Sequence, residues 1–144
     1  MVELAEPHAS FLRAARTAHL ATADEDGQPH VIPICFAFDG RSIYSVLDRK
    51  PKNVPAAQLR RVRNILANPK VSLVVDHYEE EWSHLRYVLV FGHAELLTEG
   101  DELARAMDLL REKYTQYRDM DLVGSPAIKI VPERFVPWSF QPQP

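Results

Sequence analysis

Residues 30–38 read HVIPICFAF, and Asp39-Gly40 and RSIYSVL (41–47) follow at once. An Asp-Gly pair between two apolar-rich runs is a strong local signal for a β-hairpin, because both residues accept the left-handed backbone of a tight turn between twisted strands. An earlier run, AHLATA (18–23), ends in the turn signal Asp24-Glu25-Asp26-Gly27. Three strands in such quick succession leave no room for crossover helices, so this part of the chain is an antiparallel meander and not a series of βαβ units.

Later segments extend the plan. KVSLVVDH (70–77) is a buried strand, and LRYVLVFGHAELL (85–97) is a long one in which Gly92 marks a bend or the close approach of another backbone. AIKIV (127–131) and RFVPWSF (134–140), parted by Pro132, are two short closing strands. Helical spacing of Leu4, Phe11, Leu12 and Ala15 predicts an amphipathic helix over 3–16, and that of Leu103, Met107, Leu110, Tyr114 and Tyr117 predicts one over 99–118. Six or seven strands with closely spaced turns and few helices predict a mainly β fold, a small antiparallel β-barrel. A chain of 144 residues is one domain with a real core, 1–144.

Within 30–38, Ile32, Ile34, Phe36 and Phe38 share the core side, while Val31, Pro33, Cys35 and Ala37 share the other. Pro33 cannot donate to a β-ladder and marks an edge or a bulge. The small residues there leave a flat patch where a planar ring can lie against backbone; the other reading is a strand buried on both faces.

Residues 49–76, RKPKNVPAAQLRRVRNILANPKVSLVVD, carry six basic residues up to Arg63 (Arg49, Lys50, Lys52, Arg60, Arg61, Arg63), a seventh at Lys70, and no acid before Asp76, in a chain whose net charge is -3. A short helix from about Pro55 to Asn68-Pro69 is expected, with Leu59, Val62 and Leu66 toward the core, Arg60, Arg63 and Asn64 opposite, and Arg61 on the flank. A basic helix edge beside a strand end is a seat for phosphate, with Arg as a bidentate donor and Lys as a mobile charge. It is equally readable as a solvated face.

The remaining features mostly exclude. With 46% hydrophobic and 26% charged residues the chain reads as an ordinary globule, and its slight acidity argues against a general nucleic-acid binder. The basic segment lacks interleaved base-stacking aromatics. No apolar run approaches the roughly 20 residues that span a bilayer, and the first residues show no signal-peptide pattern, which leaves the cytoplasm as the default compartment. Cys35 is the one cysteine, so there is no internal disulfide, and a buried inert thiol is expected. The six histidines are scattered without metal-ligand spacing, and no GxSxG, Walker A or GxGxxG pattern is present. Glu79, Glu80 and Glu81 are expected in a solvated loop.

Taken in order, the meander HVIPICFAF–Asp39-Gly40–IYSV, the basic segment RRVRNILANPKVSLVVD, the long strand, the helix and IVPERFVPW resemble the pyridoxamine 5′-phosphate oxidase-like, FMN-binding split barrel family, over about Phe11 to Phe140. KPK (50–52), LRRVRN (59–64) and VDHYEEEW (75–82) resemble its smaller actinobacterial branch, whose members bind the deazaflavin coenzyme F420 in place of FMN. The resemblance implies a homodimeric split barrel with shared cofactor sites. It implies that Arg61 holds the cofactor phosphate, with Arg63 and Asn64 close by, that Pro33, Ile34 and Cys35 lie beside the tricyclic ring, and that Ser45 joins them. Lys50 and Lys52 suit the carboxylate-bearing tail of F420, and Trp82, Arg134 and Trp138 are expected from the partner chain. True pyridoxamine phosphate oxidases continue past the final Trp into a basic substrate-binding segment; SFQPQP here lacks its Arg and His, so synthesis of pyridoxal phosphate is not expected. The longer stretch between Val46 and Arg61 is expected to reshape the phosphate end of the site.

The implied activity is an F420-dependent oxidoreductase that moves a hydride between reduced deazaflavin and an unsaturated small-molecule substrate. The cofactor carries such chemistry, and the protein binds, orients and excludes water. No catalytic side chain is assigned; His77, Tyr78 and Tyr44 are the candidates for a proton donor. The competing readings are an FMN-dependent enzyme of the same fold and a protein that binds a flavin, deazaflavin or haem-derived ligand without turnover.

Overall fold

The computed structural model describes residues 2–47 and 58–141. Its elements in chain order are α1 (His8–Ala14), β1 (Ala18–Ala23), β2 (Pro29–Ile34), β3 (Ala37–Phe38), β4 (Ile43–Val46), α2 (Arg60–Ala67), β5 (Lys70–His77), a 3-10 turn (Trp82–His84), β6 (Arg86–Leu97), α3 (Asp101–Lys113), α4 (Thr115–Arg118) and β7 (Ala127–Ser139). The strands form one seven-stranded sheet in the order β2-β1-β5-β6-β7-β4-β3, and every pairing is antiparallel.

That order forces the sheet to curl. β2 and β3 lie at opposite edges, yet Cys35 and Phe36 alone separate them in the chain. Six strand spacings would hold the edges of a flat sheet about 29 Å apart, whereas three Cα–Cα steps reach about 11 Å. The two edges therefore meet across the crossover, and the sheet becomes a split barrel. The concave side holds one core, in which Leu12 of α1 packs with Leu20, Phe36, Ile43, Leu73, Val88, Val90, Ile128 and Ile130. A smaller cluster under α3 joins Met107, Leu110, Tyr114 and Leu122 to Ala37, Val46 and Ala127.

The crossover takes backbone out of the ladder, and side chains replace the missing bonds. The Phe36 N–H donates to the Tyr114 hydroxyl (3.1 Å), which itself donates to the Arg16 carbonyl (2.7 Å). Lys113 Nζ donates to the Phe36 carbonyl (2.9 Å) and lies 3.9 Å from the Phe36 ring centroid. This explains two departures from expectation. The single strand over 30–38 is two strands on opposite edges, and the single helix over 99–118 breaks at Tyr114, whose extended backbone (φ -116°, ψ 113°) allows its hydroxyl to reach the crossover.

Other boundaries also moved. The first helix is confined to His8–Ala14. The two short closing strands are one, β7, with Glu133 as the extra residue of a bulge: Phe91 pairs with Arg134 and Gly92 with Pro132. Both turn signals hold. Asp24 Oδ1 accepts from the N–H groups of Asp26 and Gln28 (2.9 Å each), and Asp39 Oδ1 accepts from those of Arg41 and Ser42 (2.8 and 2.7 Å).

On α2 the phase differs from expectation. Val62, Asn64 and Ile65 are buried, while Leu66 is 65% exposed. Asn64 faces inward because its Nδ2 donates to the buried Thr22 Oγ1 on β1 (3.0 Å), which turns Ile65 to the core and Leu66 out. The expected helix start near Pro55 lies outside the described residues; within them the helix begins at Arg60.

Two measurements follow from these contacts. A Cβ on Gly92 would fall onto the Val131 carbonyl oxygen, a backbone atom that cannot move aside. Gly92→Ala is expected to cost about 1–3 kcal/mol, read as a lower urea midpoint; an unchanged midpoint contradicts the close approach. Burial, with help from Arg16, brings the Lys113 ammonium down from 10.5 to about 8. The unfolded chain thus binds more protons between these values, so the Lys113 contribution makes stability rise with pH from about 8 toward 10. Above that, Tyr44 and Tyr114, both held protonated by burial, act in the opposite direction. Lys113→Met should flatten the rise in urea-derived stability between pH 8 and 10; an unaltered slope contradicts the assignment.

Candidate functional site

The crossover and α2 meet at a pocket of about 250 Å³ lined by Thr17, Pro33, Ile34, Cys35, Ser45, Val46, Arg61 and Tyr117. Each wall has a local cause. β2 is the edge of the sheet, as Pro33 requires, and its pairing with β1 sets His19 opposite Pro33. Pro33 is exposed and Cys35 half-buried, so this side of the strand is open and not buried on both faces. Cys35 is accordingly a pocket-lining thiol, not the buried one expected from sequence. Ser45 is a buried residue of β4, and Arg61 reaches the pocket because Val62 and Ile65 fix the roll of α2 in the core. One side offers apolar and backbone surface, and the other offers a guanidinium.

Five of the residues expected at a cofactor site, Pro33, Ile34, Cys35, Ser45 and Arg61, are thus brought together. The others lie elsewhere. Arg63 is exposed on α2, and Asn64 is engaged with Thr22. Trp82 is 57% exposed on the 3-10 turn, and Trp138 is 41% exposed on β7, stacked on Tyr87 (5.4 Å between centroids). Arg134 lies over the Phe91 ring. Lys50 and Lys52 fall outside the described residues. Sequence reasoning missed Thr17, Val46 and Tyr117; Tyr117 carried a signal only as an apolar-face residue of the helix expected over 99–118.

The three candidate proton donors are not at the pocket. Tyr44 donates to Glu102 Oε2 (2.7 Å), which also accepts from Lys129 Nζ (2.7 Å). These groups line a separate, mixed-charge cleft of about 530 Å³ beside α3. Burial and the Glu102 carboxylate push the Tyr44 phenol far up, and the Lys129 and Tyr44 bonds hold Glu102 below the usual carboxylate value. His77 and His84 both contact the Glu79 carboxylate (2.5 Å each), whose pKa they lower, and Tyr78 is exposed. Glu79 is therefore a bridge between two imidazoles, not one more solvated loop acid. Among the described residues no group of three or more His, Cys, Asp or Glu side chains is arranged to hold a metal, and no helix is long and apolar enough to cross a membrane.

The convex face of the sheet is largely uncovered. Val31 (64% exposed) and Pro33 on β2, Val74 on β5, Leu89 and Phe91 (37%) on β6, and Val136 and Trp138 on β7 share it by register. Pro33 belongs both to this apolar face and to the pocket wall.

Residues 4–139 match the sequence model of the pyridoxamine 5′-phosphate oxidase family. The chain is 28% identical over 134 residues to the 5a,11a-dehydrotetracycline/5a,11a-dehydrooxytetracycline reductase of Streptomyces rimosus, across 92% of this chain and 80% of that protein. Its fold is similar to that of the conserved hypothetical protein Rv2991 of Mycobacterium tuberculosis, with a TM-score of 0.75 and 26% identity over 94% of this chain and 85% of that one. It is also similar to an F420 reductase, with a TM-score of 0.66 and 26% identity over 92% of this chain and 98% of the other. A match over almost the full length, carried on a curled seven-stranded antiparallel sheet, means that the chain belongs to the pyridoxamine 5′-phosphate oxidase-like family of split-barrel oxidoreductases.

Proposed function

We propose that the protein is an F420-dependent oxidoreductase that reduces an unsaturated organic substrate, with the deazaflavin held in the pocket between the crossover and α2. The observation that carries this reading is the convergence of Pro33, Ile34, Cys35, Ser45 and Arg61 on one pocket. The donor set suits the group: Arg61 offers a phosphate a charge-assisted partner, and the Pro33–Cys35 edge offers a ring an apolar and backbone wall. When bound, the reduced deazaflavin supplies a hydride; the chain's own residues bind it, orient it and exclude water. The similarity to an F420 reductase and to a dehydrotetracycline reductase supports this cofactor and a polycyclic or otherwise conjugated substrate. Lys50 and Lys52 add positive charge suited to the carboxylates of the F420 tail, and a single FMN phosphate needs less of it.

A second copy of the chain completes the site in this reading. About 250 Å³ falls below the roughly 300–1,000 Å³ of typical ligand pockets. The uncovered apolar face that begins at Pro33 supports a homodimer in which Trp82, Arg134 and Trp138 of one protomer approach the pocket of the other. A binding protein without turnover is the second reading, favoured by the absence of carboxylate and imidazole from the described pocket lining.

Fluorescence titration with F420 and, separately, with FMN tests the proposal. F420 should bind more tightly, and Arg61→Ala should weaken it by about 10- to 100-fold, the equivalent of one charge-assisted hydrogen bond. Equal affinity of Arg61→Ala and wild type removes Arg61 from the site, and preference for FMN replaces the cofactor. A monomeric Phe91→Asp variant that keeps full affinity excludes a shared site. Bound reduced F420 that no conjugated acceptor reoxidises favours the binding protein.

A further inference from the structure

β4 has a cavity on each of its faces. Tyr44 and Ser45 are consecutive in the strand, so their side chains leave it on opposite sides. Ser45 lines the pocket assigned to the cofactor, and Tyr44 lines the cleft of about 530 Å³ beside α3. That volume falls within the roughly 300–1,000 Å³ of typical ligand pockets, and the cofactor reading leaves it unused.

The cleft has a polar floor that is not mere surface. Tyr44 is 5% exposed, and its hydroxyl and the Lys129 ammonium both donate to one oxygen of Glu102, Oε2 (2.7 Å each). No hydrogen bond among the described residues engages Oε1, which remains an acceptor. The second carboxylate near Lys129, that of Glu95, lies 3.8 Å away, beyond hydrogen-bond length, so the ammonium keeps donors to spare.

The walls carry charges that do not pair with one another. Arg105 has Asp101, Glu102 and Asp108 at the spacings where helical side chains meet, yet it forms an ion pair with none of them and lines the cleft instead. Arg41 lines it from the β3–β4 hairpin, where its backbone is held by Asp39, and it too has no ion pair among the described residues. Asp108 and Glu112 of α3 are lining carboxylates in the same condition. Three cationic side chains (Arg41, Arg105, Lys129) stand against four acidic ones (Asp39, Glu102, Asp108, Glu112), one negative charge in excess. A simple anion meets the acids there and a simple cation meets the guanidinium groups. A ligand of both signs with one positive charge in excess complements the whole lining, and Leu109 gives a short methylene chain an apolar contact.

We infer that this cleft binds a small zwitterion, an α-amino acid with a cationic side chain, its carboxylate received by Arg41 and Arg105 and its ammonium groups by Glu102, Asp108 and Glu112. Guanidinium is the group best matched to a carboxylate, through two parallel N–H donors. The inference concerns a site separate from the cofactor pocket and does not depend on the proposed function.

The test is a titration of the ¹⁵N-labelled full chain with L-lysine at pH 7, followed by backbone amide resonances. 1,5-Diaminopentane, which lacks the carboxylate, and glutarate, which lacks the amines, are the comparison ligands. Lysine should give saturable shifts at Tyr44, Glu102, Arg105 and Lys129 and leave Ile34 and Cys35 unmoved. Both comparison ligands should bind at least about tenfold more weakly, and so should lysine to Arg105→Gln or Glu112→Gln, each the loss of one charge-assisted contact at an exposed position that the fold does not rely on. No saturable shift at the cleft up to about 50 mM lysine, against sodium chloride of matched ionic strength, overturns the site. Either comparison ligand binding as tightly as lysine overturns the zwitterion, and undiminished affinity in Arg105→Gln overturns the placement of the carboxylate. The titration contains no F420 or FMN, so its failure and the failure of the cofactor assignment are read separately.

Discussion

The bond on which the structure most depends joins the Phe36 amide to the Tyr114 hydroxyl. At Phe36 the chain leaves one edge of the sheet and enters the other, and its backbone has no strand partner at that moment. A buried N–H without a partner costs about 1–3 kcal/mol. Tyr114 and Lys113 supply the bonds from the end of α3, and Tyr114 passes the connection on to the Arg16 carbonyl ahead of β1. One aromatic hydroxyl thus pins three segments distant in sequence: the approach to β1, the crossover, and the break between α3 and α4.

The same junction makes the pocket. A closed barrel would leave no free strand edge, but here β2 ends at Ile34 and the chain swings to β3, leaving Pro33, Ile34 and Cys35 along an edge with no further strand beside it. α2 then sets Arg61 at the gap, its roll fixed by Val62, Ile65 and the Asn64–Thr22 hydrogen bond. The pocket is a consequence of how the barrel is split, and its chemistry comes from what the edge and the short helix offer: backbone and small apolar groups on one side and guanidinium on the other. The Tyr44 phenol, pushed far up by burial and the Glu102 carboxylate, sits instead in the cleft beside α3, where it ties β4, β7 and α3 together through Glu102 and Lys129.

What the sequence made legible was local. The Asp24 and Asp39 turns are encoded by side chains that bond their own following N–H groups, and Gly92 by a backbone approach that excludes a Cβ. The position of Pro33 announced an edge strand, and the order of landmarks pointed to the family. What stayed hidden was non-local. Ile34, Phe36 and Phe38 all face one core, so the alternation runs unbroken through the crossover and conceals that two strands are present. Tyr114 and Tyr117 keep helical spacing across a break that a hydrogen bond seventy-eight positions away imposes. Leu66 and Ile65 exchanged places because a polar contact, Asn64 to Thr22, fixed the helix phase that hydrophobicity alone left open. Of the expected site residues, those on β2, β4 and the flank of α2 converged, and the two tryptophans lie on the outside, where only another chain would bring them to a pocket.

The central claim is that this junction is where a flavin-type cofactor binds. Its most direct test is the change in backbone amide resonances of the ¹⁵N-labelled protein on addition of F420. The account predicts the largest changes at Ile34, Cys35, Ser45 and Arg61, with the hairpin at Asp39 and the Tyr44–Glu102 cleft unaffected. Changes concentrated at that cleft, or spread evenly over the surface, would contradict it.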